Sequence, residues 1–147
     1  MLPGLAALVL ATLFTGAALY ISLVEHPARL VLHDAALLAQ WQSSYMRALP
    51  IQAGLALLGT AVGLVVWYRS DGWQWLVGSL TLLANWPFTM FVIMPTNKRL
   101  LAMRQSEAGP ESRRMLLRWA ALHHVRSALG CIAVLLFLCG LVAAQRP

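Results

Sequence analysis

The chain has 147 residues, of which 60% are hydrophobic and only 11% charged, and a net charge of +6. A soluble domain carries about 25% charged residues, so composition alone excludes an ordinary globular protein. Nucleic-acid binding is set aside too, because the basic residues lie in loops beside apolar runs and form no soluble basic face.

Residues 1–24, 48–68, 72–97 and 127–145 contain no charged side chain. Each run is about as long as the roughly 20 residues a helix needs to cross a bilayer. The expected architecture is all-α: an integral membrane four-helix bundle, one domain over 1–147, with spans at about 3–24, 48–68, 73–94 and 120–143. The N-terminus lacks the positive n-region of a secretory signal peptide, so the first run is expected to be retained.

Helix 1 is expected from Pro3 to Val24, with Pro27 breaking or restarting the chain. Residues 28–47 mix Leu37, Leu38, Trp41 and Tyr45 with Arg29, His33, Asp34 and Arg47. That segment is too polar to span and is predicted to be an interfacial helix between helices 1 and 2. Helix 2 should open with Pro50 in its first turn and end at Trp67-Tyr68. It carries Gly59-x-x-x-Gly63, a spacing for close helix approach and a candidate homo-oligomer contact. Arg69-Ser70-Asp71-Gly72 reads as a tight turn into helix 3, ringed by Trp67, Tyr68, Trp73 and Trp75 as an aromatic belt. Pro87 should kink helix 3, and Asn85 beside it should face protein. Helix 4 is predicted from Pro110 to Ala143, longer than a bilayer is thick. Cys131 and Cys139 lie about 12 Å apart along it, too far for a disulfide.

Arg29, Arg47, Lys98, Arg99, Arg104, Arg113, Arg114 and Arg118 fall in loops 1–2 and 3–4, against Arg69 and Arg146 on the other side. The positive-inside rule then predicts an inner (plasma) membrane protein with both termini outside and those two loops cytoplasmic.

Three polar groups fall at a similar depth in such a bundle. Glu25, His26 and Arg29 end helix 1; Asn97, Lys98 and Arg99 follow helix 3; Trp119, His123 and Arg126 share one face of helix 4 at i, i+4, i+7. Membrane anchoring and one ion pair, Glu25 with Arg126 or Arg29, would account for the charges alone. Anchoring does not call for the carboxylate, imidazoles, amide and indole found with them, a mixture suited to proton abstraction or metal ligation. His26 and His123 are candidate ligands to a haem iron or a metal ion from facing helices. His124 is about 100° from His123 around the helix, so one of the two faces the site. No nucleophile triad, phosphate loop or dinucleotide fingerprint occurs, which removes hydrolase and nucleotide-dependent readings. Four helices without an inverted repeat also make a poor transporter.

Leu23-Val24-Glu25-His26-Pro27-Ala28-Arg29, Met94-Pro95-Thr96-Asn97-Lys98-Arg99-Leu100 and Trp119 with Leu122-His123-His124-Val125-Arg126 resemble the signature segments of the anthrone-oxygenase-like membrane proteins. The resemblance runs from helix 1 to helix 4. It implies a small four-helix membrane protein that oxidises electron-rich anthrones to anthraquinones with molecular oxygen. The resemblance also points to Glu25, His26, Arg29, Asn97, Arg99, Trp119, His123 and Arg126 as the functional positions.

On that basis the expected activity is a membrane oxidoreductase of oxygenase type acting on a hydrophobic, aromatic substrate near the cytoplasmic face. His123 or His26 would remove a proton, with Glu25 orienting the imidazole. Arg126, Arg29 and Asn97 would stabilise the anion, Arg99 would assist binding, and Trp119 would form an aromatic wall. Cofactor-free oxygenation and a haem or metal ion both stay open. Two other readings stand beside it: a haem- or metal-binding protein using His26 and His123, and a non-catalytic subunit packing through Gly59 and Gly63.

Overall fold

The computed structural model describes residues 1–145, and among these there is no strand. Four helices are long and apolar enough to cross a membrane: α1 (Leu2–Arg29), α2 (Asp34–Ser70), α3 (Trp73–Ala102) and α4 (Pro110–Ala143). Arg146, counted above for orientation, lies outside the described residues. α1 packs on α2 and α4, and α3 packs on the same two, so the ring closes in chain order. Asp71 adopts a left-handed φ of 52° after α2, and the chain reverses through Gly72 into α3. The outward residues of the spans, among them Val9, Leu13, Leu58, Val65 and Leu135, are exposed and apolar. Such a surface is unsustainable in water and ordinary in lipid. The chain is an integral membrane four-helix bundle.

The separate interfacial helix is not an element of the bundle. Residues 34–47 are the first turns of α2, which runs unbroken for 37 residues with Pro50 in its interior. An interior proline removes a backbone hydrogen bond, so the continuity must come from packing. Leu37, Leu38, Trp41 and Tyr45 supply it by burying themselves with Leu100 of α3 and with Leu116 and Trp119 of α4. At about 56 Å, α2 exceeds the roughly 30 Å hydrocarbon core, so its ends reach beyond it.

Nor does Pro27 end helix 1. A π-helical turn at Ile21–Glu25 precedes it, in which the His26 N–H bonds the Ile21 carbonyl, and the helix continues to Arg29. α3 repeats the device at Thr89–Ile93, just before Met94-Pro95. A π turn inserts one extra residue and rotates everything after it by about 100° around the axis. The break near Pro87 falls at Ala84, where the Asn85 amide donates to the Leu82 carbonyl at 3.0 Å. Asn85 is buried, as expected.

Two side chains satisfy the carbonyls left open where helices end. Arg113 donates to the Leu30 and Leu32 carbonyls at 2.9 and 2.6 Å and to the Asp34 carboxylate at 2.6 Å. Gln42 donates to the Leu100 and Met103 carbonyls at 2.8 and 3.0 Å.

The interior holds two apolar clusters. One gathers Ala7, Ala11, Phe14, Ala56, Trp75 and Phe137; the other gathers Leu37, Trp41, Tyr45, Ile93, Leu116 and Trp119. Trp75 therefore belongs to the core, stacked on Phe137 at 5.3 Å, while Tyr68 and Trp73 are exposed as a belt requires. Gly59 and Gly63 are likewise internal. A methyl group on Gly63 would collide with Ser79 and with the Phe137 ring, and one on Gly59 would lie 2.8 Å from Leu82. Their small size brings α2 onto α1, α3 and α4 of the same chain, so this face is already occupied and unavailable to a second copy.

Candidate functional site

A layer of buried polar side chains drawn from all four helices lies between the two apolar clusters and runs into the second. α1 contributes Ser22, His26 and Arg29, α2 contributes Gln52, α3 contributes Asn85 and Asn97, and α4 contributes His123 and Ser127. Burying so many polar groups is costly unless they are paired, so their partners define the site.

The turn of α1 after the π segment carries the first set. Arg29 is 3% exposed and pairs with the Glu25 carboxylate at 2.5 Å. Ser44 of α2 donates to the same carboxylate at 2.5 Å and accepts from Arg29 at 3.3 Å. Gln40 adds a 3.2 Å hydrogen bond to Glu25. Glu25 is thus engaged by Arg29 and α2, and neither imidazole is among its hydrogen-bond partners. Of the two ion pairs expected for it, the structure selects Arg29.

The face of α4 carries the second set. Ser22 of α1 lies 3.0 Å from His123 Nδ1 and 3.0 Å from Ser127 Oγ, which fixes the orientation of the His123 ring. Trp119 stands one turn before it, with ring centroids 4.8 Å apart. The same indole meets His26 at 5.4 Å and the edge of Trp41 at 5.7 Å. His26 is 3% exposed, and neither of its ring nitrogens has a hydrogen-bond partner. Arg126 donates to Gln52 at 2.9 Å and lies over the Phe14 ring at 5.6 Å. Among the described residues no carboxylate pairs with it, so it is a partly buried cation without a counter-charge.

The remaining predicted positions divide. Asn97 is fully buried and donates to the Tyr45 hydroxyl at 2.9 Å, so it reaches the site through Tyr45. Arg99 and Lys98 are exposed on the far side of the same turn, and His124 is exposed on α4. A cavity of about 20 Å³, room for roughly one water, is lined by Arg29, Ser44, Tyr45, Gln52, His123 and Arg126. Among the described residues no three His, Cys, Asp or Glu side chains gather closely enough to hold a metal ion.

Sequence reasoning missed Ser22, Ser44, Tyr45 and Gln52. Tyr45 and Gln52 are seven apart, two helical turns, which places them on one face once α2 is known to be continuous. Assigning residues 28–47 to a helix of their own hid that relation. Ser22 gave no signal, because a serine in an apolar span ordinarily bonds its own backbone.

Three comparisons bear on this arrangement. A family model described as anthrone oxygenase matches residues 41–136, well over half of the chain. The chain is 40% identical over 60 residues to the anthrone oxygenase tpcL of Aspergillus fumigatus. That alignment covers 39% of this chain and 37% of the relative, so little more than a third of the relative's length is spanned. No solved structure matches. The model match takes in Tyr45, Gln52, Asn97, Trp119, His123 and Arg126 and begins after the Glu25-His26-Arg29 turn.

Proposed function

The chain belongs to the anthrone oxygenase family, and on that premise we propose that it is a membrane oxidoreductase of oxygenase type, acting on a hydrophobic aromatic substrate in the buried polar layer. The observation that carries the reading is that a buried imidazole, His123, and a cation with no carboxylate partner among the described residues, Arg126, line the same small inner cavity. A neutral imidazole accepts a proton from an acidic carbon, and an unpaired guanidinium stabilises the anion left behind. The substrate loses its proton to His26 or His123, and the carbanion passes its electrons to dioxygen. One oxygen atom is retained as the new carbonyl, and the other leaves as water with the two hydrogens of the oxidised methylene.

Each remaining residue has a part to play. Ser22 holds His123 in one orientation. Glu25 neutralises Arg29, which leaves Arg126 as the charge that meets the substrate anion. Trp119 offers its ring as a wall, and Asn97 positions the Tyr45 hydroxyl at the edge of the inner cavity. Arg99, being exposed, contributes to the basic surface rather than to binding. In this reading, which the positive-inside rule supports, loops 1–2 and 3–4 face the cytoplasm and both termini lie outside, in an inner or plasma membrane. The site then sits near the cytoplasmic side of the bilayer.

Replacing His123 with Ala tests the reading. Dioxygen uptake and quinone formation from a hydroxyanthrone should fall by about 10³-fold while the detergent-purified protein keeps its helical spectrum. Unimpaired turnover by a folded His123→Ala protein would remove it.

One observation also favours a second reading. The two free ring nitrogens of His26 suit a haem iron or metal ion as well as a proton, with His123 offering its remaining nitrogen. A Soret or ligand-field band in the purified protein, lost in His26→Ala, would establish it.

A further inference from the structure

The polar layer meets a second cavity at Arg126, one that His123 does not line. A cavity of about 70 Å³ lies between α2 and the broken stretch of α3, with Arg126 at its back. Its walls are apolar and include Ala53, Trp86 and Met90. Trp86 is 37% exposed and Met90 50%, so the mouth lies on the outer, lipid-facing surface of the bundle. The Trp86 indole reaches across that mouth to the Ala53 carbonyl at 3.5 Å.

The floor of this cavity differs from its walls. Among the described residues, Gln52 Nε2, Asn85 Oδ1, Thr89 Oγ1 and Arg126 Nε are buried atoms without a hydrogen-bond partner, and all four residues line it. Gln52 and Asn85 are 3% and 2% exposed. Unpaired polar atoms in a native interior call for a partner, whether water, an ion or a ligand. Two of these are donors, one is an acceptor, and the threonine hydroxyl serves as either. They fit a molecule whose carbonyl or phenolate oxygen accepts from Gln52 and Arg126 while a neighbouring hydroxyl donates to Asn85. A lipid acyl chain would fill the walls and leave all four atoms unpaired.

We propose that this cavity is a lateral binding site for a lipophilic aromatic hydroxyketone, entered from the bilayer between α2 and α3. Only the oxygen-bearing edge of such a molecule fits within the cavity, and its rings extend into the mouth against Trp86 and Met90. The break at Ala84 makes the site, because it interrupts α3 beside Asn85 where a straight helix would pack on α2. Gln52 and Arg126 also line the inner cavity that holds His123, so their 2.9 Å hydrogen bond is the partition between entry site and inner chamber. The ligand class rests on the proposed oxidation, whereas the existence of the site rests on the unpaired atoms.

The test is a titration of 1,8-dihydroxyanthraquinone, which has no methylene left to oxidise, into the full chain in phosphatidylcholine nanodiscs. Tryptophan quenching is read against empty nanodiscs. Ala53→Trp, which fills the mouth, and Asn85→Leu, which removes the acceptor, should each weaken binding by about tenfold. Thr89→Val keeps the shape of the site and should weaken it by about threefold, which covers a failure of Asn85→Leu to fold. His123→Ala should bind like the wild type, since His123 lines only the inner chamber. Wild-type affinity in both Ala53→Trp and Thr89→Val would overturn the site, as would failure of the unaltered chain to bind. If those variants bind poorly while His123→Ala still turns over, the site stands and the oxidation mechanism falls.

Discussion

In the half of the bundle that holds the first turns of α1, helices meet through small residues. Ala7, Ala11, Ala56 and Ala133 bring the backbones together, and Phe14, Trp75 and Phe137 fill what space remains. In the other half the same four helices are held by large aromatics and by polar side chains that cross between them, such as Gln42 onto α3 and Arg113 onto the turn after α1. The first half depends on shape and tolerates almost no added volume. The second tolerates a substitution wherever the remaining polar groups can still find partners. Lipid supplies no hydrophobic drive between helices, so close packing has to assemble the first half. The polar layer lies where the two halves join, rigid on one side and chemically varied on the other.

The largest effect should come from adding volume to the tight half. Gly63→Leu drives a side chain into Ser79 and the Phe137 ring, and the protein should fail to elute as a single species from detergent extraction. Recovery of a monodisperse, wild-type-like bundle would mean that the small-residue contact does not hold the helices. Next is the loss of charge from the polar layer. Arg126→Leu should leave the fold assembled and lower kcat by about 10²-fold, since among the described residues the cation has no carboxylate partner to be orphaned. An equal loss of thermal stability would recast Arg126 as structural.

A smaller change is expected where side chains cap helix ends. Arg113→Ala leaves the Leu30 and Leu32 carbonyls open and should cost about 1 kcal/mol, seen as a melting point lowered by a few degrees without loss of turnover. The smallest concerns His124, which is exposed beside the buried His123. His124→Ala should leave both stability and rate at wild-type values, and a fall in rate comparable to that of His123→Ala would show that the wrong imidazole has been assigned to the site.

The sequence was most informative where one physical rule acts alone. Uncharged runs report transfer into lipid, and they located four spans and the Ser70-Asp71-Gly72 turn, while the start of α4 at Pro110 was marked by a proline and an acidic residue in its first turn. The spacing of Trp119, His123 and Arg126 placed a shared face on α4 because a single helix fixes those angles. Helix length was less legible. Transfer into lipid says nothing about where a helix ends once it leaves the membrane, so α2 was read as two elements and Pro50 as its start.

What the tertiary structure alone decided follows from contacts between residues distant in the chain. The widened turns before His26-Pro27 and Met94-Pro95 reset the faces of α1 and α3, and no local pattern announces them. The choice of Arg29 over Arg126 as the partner of Glu25 depends on Ser44 and Gln40 arriving from α2. Gly59 and Gly63 advertise a close approach, but the bundle decides that the approaching helices belong to the same chain. Membrane location, helix number and the face of α4 are local or compositional properties, and the sequence by itself determined them. Which polar groups are left unpaired, and therefore free for chemistry, is a property of the whole bundle, because a partner is found only after all four helices have packed.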